Sequence, residues 1–165
     1  MPEHLDTRSM ILKTVEENPG LHFREIQRRT LCANGQLQYH LYQLERDGIL
    51  VRKVDGKITR YFSNESGTVM ERNLLFHLRN RDSLYLISKL LRGDIREADL
   101  MGKKGNRKFL DRMNLLVKDG IVKKTGTGDQ ATFSLTDVDY IKNVLKRFRE
   151  SFLDTLALNL FSLLK

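Results

Sequence analysis

Asn34, Gln36, Gln38, Tyr39, Tyr42 and Gln43 fall within ten consecutive positions, and together they offer the chemistry of nucleobase recognition. A side-chain amide carries donors and an acceptor side by side, which lets it bond bidentately to adenine N6 and N7. A tyrosine can reach a phosphate or stack on a base edge. Leu37, Leu41 and Leu44 are interleaved with them at i, i+4 and i+7. A helix over Gln36–Arg46 therefore buries the leucines and turns the amides and phenols outward. An all-basic face would give mainly phosphate affinity, whereas this one has groups that discriminate bases. The plainer reading is a solvated polar face with its aromatics packed sideways. Gln43 lies late in the helix and carries less weight.

Other elements must hold that helix in place. The spacing of Met10, Ile11 and Val15 predicts a first helix over Thr7–Glu17, stopped by Asn18-Pro19-Gly20. Leu21–Phe23 reads as extended, Arg24–Thr30 as a second helix and Leu31–Asn34 as the turn before the third. Gly48 is placed for a left-handed C-cap, and Asp55-Gly56 is a two-residue hairpin signal between β-rich runs. The hairpin carries Arg52, Lys53, Lys57 and Arg60, suited to backbone or minor-groove contact; lysine on an edge strand also guards against strand pairing. Arg24, Arg28 and Arg29 can meet phosphates, although one of them is expected to pair with Glu25 or Asp47 instead. His40, beside the core leucines, reads as a half-buried structural imidazole. Cys32 reads as a small apolar filler in the turn.

The pattern recurs 72 positions later. Leu44-x-x-Asp47-Gly48-Ile49-Leu50 answers Leu116-x-x-Asp119-Gly120-Ile121-Val122, and Phe23, Leu37 and Leu41 answer Ile95, Phe109 and Met113. His22 and Glu25 correspond to Asp94 and Glu97, both at capping-box spacing; Phe62 is matched to Phe133 through a one-residue shortening of the hairpin. A linking helix over Thr68–Arg79 leads into helices over Asp82–Leu91, Asp94–Leu100 and Asn106–Lys118. Strands Ile121–Thr125 and Ala131–Leu135 follow, joined across Gly126-Thr127-Gly128-Asp129. Lys103, Lys104, Arg107, Lys108 and Arg112 surround the start of the third helix of this copy, with Gly102 and Gly105 leaving backbone amides accessible. That arrangement favours phosphate, with docking of an acidic protein as the alternative.

Thr136 or Asp137 can cap a final helix running nearly to residue 165. Phe148, Phe152, Leu156 and Leu160 lie on its broad apolar stripe, which must be covered by the chain's own domains or by a second copy; a homodimer is the expectation. Two tandem domains, 1–66 and 67–136, and a C-terminal helix, 137–165, make the expected architecture. The fold class is mainly α with small β-hairpin wings.

The 165 residues carry a net charge of +8, unevenly spread. Residues 1–66 hold 10 Lys+Arg against 9 Asp+Glu, whereas 67–136 hold 14 against 8. Such an excess suits polyanions. No apolar run reaches the roughly 18 residues of a membrane span, and MPEHLDTRSM lacks the layout of a secretory leader. The single cysteine, Cys32, permits no internal disulfide, so a reducing, cytoplasmic setting is expected. His4, His22, His40 and His77 show no ligand spacing, and no metal or other cofactor is expected. Neither a Walker-type loop, nor HExxH, nor a serine-nucleophile motif occurs, so the reading is not an enzyme.

The stretch NPGLHFREIQRRT…GQLQYHLYQLERDGIL resembles winged helix-turn-helix regulators of archaeal type, close in pattern to the ArsR and MarR-like groups. Gln38-Tyr39-His40-Leu41-x-x-Leu44-x-x-Asp47-Gly48-Ile49 is its most specific part. The resemblance implies a transcription regulator whose third helix reads double-stranded DNA. Tandem winged-helix proteins of this kind include activators that recruit a basal transcription factor. The residue types that metal sensors among them use for ligation are not arranged here. Two alternatives stay open: a protein-docking adaptor for which DNA contact is secondary, and an RNA-binding adaptor.

Overall fold

The computed structural model describes residues 6–65, 67–101 and 107–152. It is mainly helical with small antiparallel sheets, and the chain divides into two compact units, Met1–Thr68 and Val69–Lys165.

The first unit comprises α1 (Thr7–Glu17), β1 (Leu21–His22), α2 (Phe23–Thr30), α3 (Asn34–Arg46), β2 (Leu50–Asp55) and β3 (Ile58–Ser63). Asp6 caps α1 by accepting from the Ser9 amide at 2.7 Å. The α2 start is held by the His22 amide donating to Glu25 Oε2 at 2.9 Å, the return half of a capping box. α3 begins two residues earlier than its apolar spacing implied, so Asn34 belongs to the helix and not to the turn. Its buried side chains, Leu37, Leu41 and Leu44, join Ile11, Val15, Ile26 and Leu50 in one core. Cys32 is a buried member of that core.

The sheet order is β1-β3-β2, all antiparallel. Asp55 pairs with Ile58, so the turn residues are Gly56 and Lys57, not Asp55 and Gly56. Gly56 has φ +60° and Lys57 does not share the positive φ, the pattern of a II′ turn, which demands glycine first.

The second unit comprises α4 (Val69–Leu78), α5 (Arg81–Leu90), β4 (Ile95–Arg96), α6 (Glu97–Met101), α7 (Arg107–Lys118), β5 (Val122–Thr125), β6 (Thr132–Leu135) and α8 (Val138–Arg147). Its sheet repeats the order of the first, β4-β6-β5. The same hydrogen bonds recur at an offset of 72. Gly48 donates to Glu45 O and Ile49 to Leu44 O; Gly120 donates to Val117 O and Ile121 to Leu116 O. Both pairs are complete Schellman closures. Each sheet is then tied back to that closure. The Asn64 amide donates to Ile49 O and its side chain to Gly48 O; the Thr136 amide donates to Ile121 O and its hydroxyl to Gly120 O. The shared L-x-x-D-G-I motif is thus the sequence of a helix end and the strand it launches.

The repeat departs from expectation in four places. Asp94 does not cap a helix: Ile95 and Arg96 pair with β6, and the helix that follows is only five residues long. Glu97 is then free to meet Lys124, at 2.5 Å, instead of closing a capping box. Register matches Tyr61, not Phe62, to Phe133. Arg52 faces Tyr61 as Lys124 faces Phe133, with no shortening between them. The two hairpins are equal in length and differ only farther out, where Gly128–Gln130 form a 3-10 turn in place of an extended wing. Phe109, expected in the core like Leu37, is half-buried and lies against Tyr85, ring centroids 5.4 Å apart.

α8, expected to run on along the apolar stripe, ends at Arg147. Asp137 caps α8 by accepting from the Tyr140 amide, and the described chain closes with a 3-10 turn, Glu150–Phe152. Phe152, expected at a dimer interface, is fully buried within its own unit. The Arg79 guanidinium lies 4.2 Å from its ring centroid while donating to Ser151 O and Oγ at 2.9 and 2.6 Å. An aromatic next to a desolvated guanidinium gains a cation–π contact that a solvated interface residue would lack. Phe148 is half-buried, and Leu156 and Leu160 lie outside the described residues.

Candidate nucleic-acid interface

α3 presents its polar residues as its spacing requires. Asn34, Gln36, Gln38, Tyr39 and Tyr42 are all exposed; Tyr39 retains 59% and Tyr42 63% of its accessible surface. Large apolar-bodied side chains left this open on a folded surface point to a contact surface. The face splits by side. Gln36 leans toward α1, donating to Thr7 Oγ1 at 3.2 Å. Asn34, Gln38 and Tyr42 form an i, i+4, i+8 row along a groove of about 710 Å³. Phe23, Leu41 and Tyr61 also line this groove, as do Glu45, Arg46 and Arg52. His40 is half-buried beside the Tyr39 ring, at 5.3 Å, as its position next to the leucines implied.

Two outward residues were missed by reading residue types alone. Gly35 and Arg46 share the line of Tyr39 and Tyr42 at helix spacing, and both are exposed. Gly35 bears no side chain at the first turn of α3, and a Cβ there would meet nothing within 4 Å. Extending the Tyr39–Tyr42 row by one turn in each direction finds both.

The basic residues sort into three groups. Arg24 and Lys57 line a second cleft between the start of α2 and the wing turn, with His22, Phe23, Thr59 and Tyr61. Arg24, Arg28 and Lys57 are exposed with no carboxylate partner among the described residues. Arg52 is exposed but tethered, its Nε 3.4 Å from Glu45 Oε2; Lys53 is half-buried. Arg60, expected to reach a ligand from the wing, is instead turned inward. It is 6% exposed, and its Nη1 donates to Gly20 O at 3.0 Å. Burial lowers its pKa from the usual guanidinium value, and the Glu25 and Asp55 charges partly restore it. Burial also raises the Tyr61 phenol, an effect reinforced by the Glu45 charge. The partner expected for an α2 arginine is taken elsewhere: Asp47 meets Arg8 at 2.7 Å, and Glu25 meets His22.

Residues 5–75 match the family model HTH_HVO_0163_N, N-terminal HTH domain. This segment is a helix-turn-helix domain of archaeal type, and such a domain marks a DNA-binding regulator. The match contains α1, β1, α2, α3 and the hairpin β2–β3, and extends into α4. No curated protein matches the chain.

In the second unit, Arg107 and Lys108 are exposed at the start of α7, and Arg112 is half-buried. Lys108 Nζ sits 2.8 Å from Asp82 Oδ2, so its charge is already answered. Lys103, Lys104, Gly102 and Gly105 lie outside the described residues. At the offset of 72, α7 carries Leu110 where α3 has Gln38, and Asp111 where α3 has Tyr39. His77 is fully buried between Ser83 Oγ, 3.3 Å from Nδ1, and Asp119 Oδ2, 2.8 Å from Nε2; it secures the D-G turn of this unit as Arg8 does in the first. Among the described residues no helix is long and apolar enough to cross a membrane.

Proposed function

We propose that this chain is a transcription regulator that reads duplex DNA through α3 of its first unit. The observation that carries the reading is the outward row of amides and tyrosines on α3, on a segment matched to a helix-turn-helix family. α3 enters the major groove, with Gln38, Tyr39 and Tyr42 at base edges and Asn34 and Gln36 near its N-terminal end. Arg24, Arg28, Lys57 and Arg52 meet the flanking phosphates. Selection of bound sequences from a random duplex pool, followed by competition with non-specific DNA, tests this directly. A recurring site that resists competition is expected; an unenriched pool would refute base reading.

The second unit reads as a second winged helix with a different task. The Schellman closure and sheet order it shares with the first support the tandem reading. Asp111 in place of Tyr39 favours a docking role, because a carboxylate at the centre of a reading face repels phosphate. A basal transcription factor is the partner suggested by the resemblance of the first unit to archaeal regulators. An adaptor that binds protein alone is the competing reading, separated by whether the full chain selects a DNA sequence.

A further inference from the structure

One face of α5 combines a partly exposed aromatic ring with exposed cations. Tyr85 is 45% exposed on it, its ring tilted against Phe109 at 5.4 Å and covered by Lys89 Nζ at 5.0 Å from the centroid. Arg81, Lys89 and Arg92 flank it at helical spacing, all exposed, and none has a carboxylate partner among the described residues. The row spans roughly 16 Å at 1.5 Å per residue.

Stability does not explain this composition. Arg81 is the first residue of α5, where the helix dipole disfavours a cation. The equivalent helix of the first unit supplies a comparison. Ile11 and Val15 are buried there as Ser83 and Ile87 are here, so the offset of 72 holds. Ser9, Lys13 and Glu17 stand where Arg81, Tyr85 and Lys89 stand, and Lys13 and Glu17 form an i, i+4 ion pair at 3.8 Å. The same helical face is thus self-neutralised in one unit, whereas in the other it is aromatic and its cations meet no carboxylate among the described residues.

We propose that this face docks an acidic amphipathic helix of a partner protein. Acidic residues at i, i+8 and i+11 of such a helix, running parallel to α5, meet Arg81, Lys89 and Arg92, and an apolar residue at i+4 packs on Tyr85. The central aromatic anchor with a charged rim is the anatomy of a protein interface. A single nucleic-acid strand is better served by a groove lined with several stacking rings than by one ring on a convex helix. The surface is distinct from the α3 face, and the proposal does not depend on DNA reading.

The test titrates the full chain with a fluorescent helical peptide bearing glutamates at that spacing and one leucine between them. A glutamine version serves as control, and amide chemical shifts locate the contact. Binding is expected to perturb Arg81, Tyr85, Lys89 and Arg92 and to require the glutamates. Tyr85→Ala and Arg92→Glu should each weaken it about tenfold or more, with Tyr85→Phe within about twofold of the wild type. Arg92 lies beyond the helix end, so its variant stays informative if Tyr85→Ala folds poorly. Duplex-site binding through α3 should persist in all three, which separates this proposal from the DNA reading. No peptide binding, binding indifferent to these substitutions, or tighter capture of a single-stranded oligonucleotide at the same residues would each overturn it.

Discussion

Tyr39 and Arg60 were both candidates to touch a ligand, and the fold gives them opposite surroundings: 59% exposed for one, 6% for the other. Replacing Tyr39 or Gln38 with alanine should cost about 1–3 kcal/mol on a cognate duplex and much less on random DNA. Electrophoretic titration on both duplexes measures this, and equal losses would show that neither residue reads bases. Arg60 should behave in the opposite way. Arg60→Ala removes a buried charged donor from the Gly20 carbonyl and should destabilise the first unit by about 1.5–3 kcal/mol in urea unfolding. Lys57→Ala should leave that stability unchanged while reducing the salt slope of DNA binding by up to about 0.9. A slope that falls with Arg60→Ala but not with Lys57→Ala would reverse the assignment of the two. The sequence showed both as wing cations. What separates them is strand register, which points Arg60 back at the chain entering β1, and residue type carries no trace of that.

At the scale of elements, α3 and the strand after it were legible because three signals agreed: leucines at helical spacing, a glycine at the helix end and an apolar strand behind it. Gly48 has φ +72°, so Gly48→Ala should destabilise the first unit by about 1 kcal/mol. Gly35 is helical with open space around it, and Gly35→Ala should stabilise by up to about 1 kcal/mol while weakening DNA binding, if backbone and DNA approach closely there. Thermal melting read beside duplex affinity separates the two glycines. Stabilisation of α3 with unchanged affinity would remove Gly35 from the interface. Asp47 adds a pH dependence. The Arg8 hydrogen bond, opposed by partial burial, holds its carboxyl below the usual 3.8. The folded state therefore binds that proton less tightly than the unfolded chain, so the pairing stabilises above 3.8 and is lost as pH falls through the lower folded value. Asp47→Asn should flatten the acid limb of a stability–pH curve; an unchanged limb would show the pair to be inert. The less legible elements were short ones. β4 is two residues long and exists because β6 pairs with it, so a local capping signal at Asp94 and Glu97 was overridden by a long-range contact.

For the whole molecule, charge and apolarity were easier to count than to place. The excess of cations in 67–136 is real, yet Lys108 and Lys124 are met by Asp82 and Glu97, while Arg81 and Lys89 on α5 and Arg92 just past its end meet no carboxylate among the described residues, on an element that the repeat pattern had given no task. The apolar stripe of residues 137–165 likewise reads the same from the sequence whether it covers a core or a second copy. Ile141, Val144, Leu145 and Phe152 are buried within the second unit, held at the end by Arg79 on Ser151 and by Arg147 on Glu71. Truncation after Lys142 would remove three of those four side chains together with the Arg79 contacts. At about 1.5–3 kcal/mol for each buried side chain, that loss is comparable with the whole stability of a small unit. Such a chain should show one cooperative unit fewer in calorimetry instead of yielding a folded monomer. Truncation after Phe152 keeps all four and should leave both units folded. Sedimentation at micromolar concentration then isolates the remaining thirteen residues. If the full chain is dimeric and the chain ending at Phe152 monomeric, the terminal segment joins two copies; if both are dimeric, the contact lies elsewhere; if both are monomeric, the homodimer reading of Leu156 and Leu160 fails.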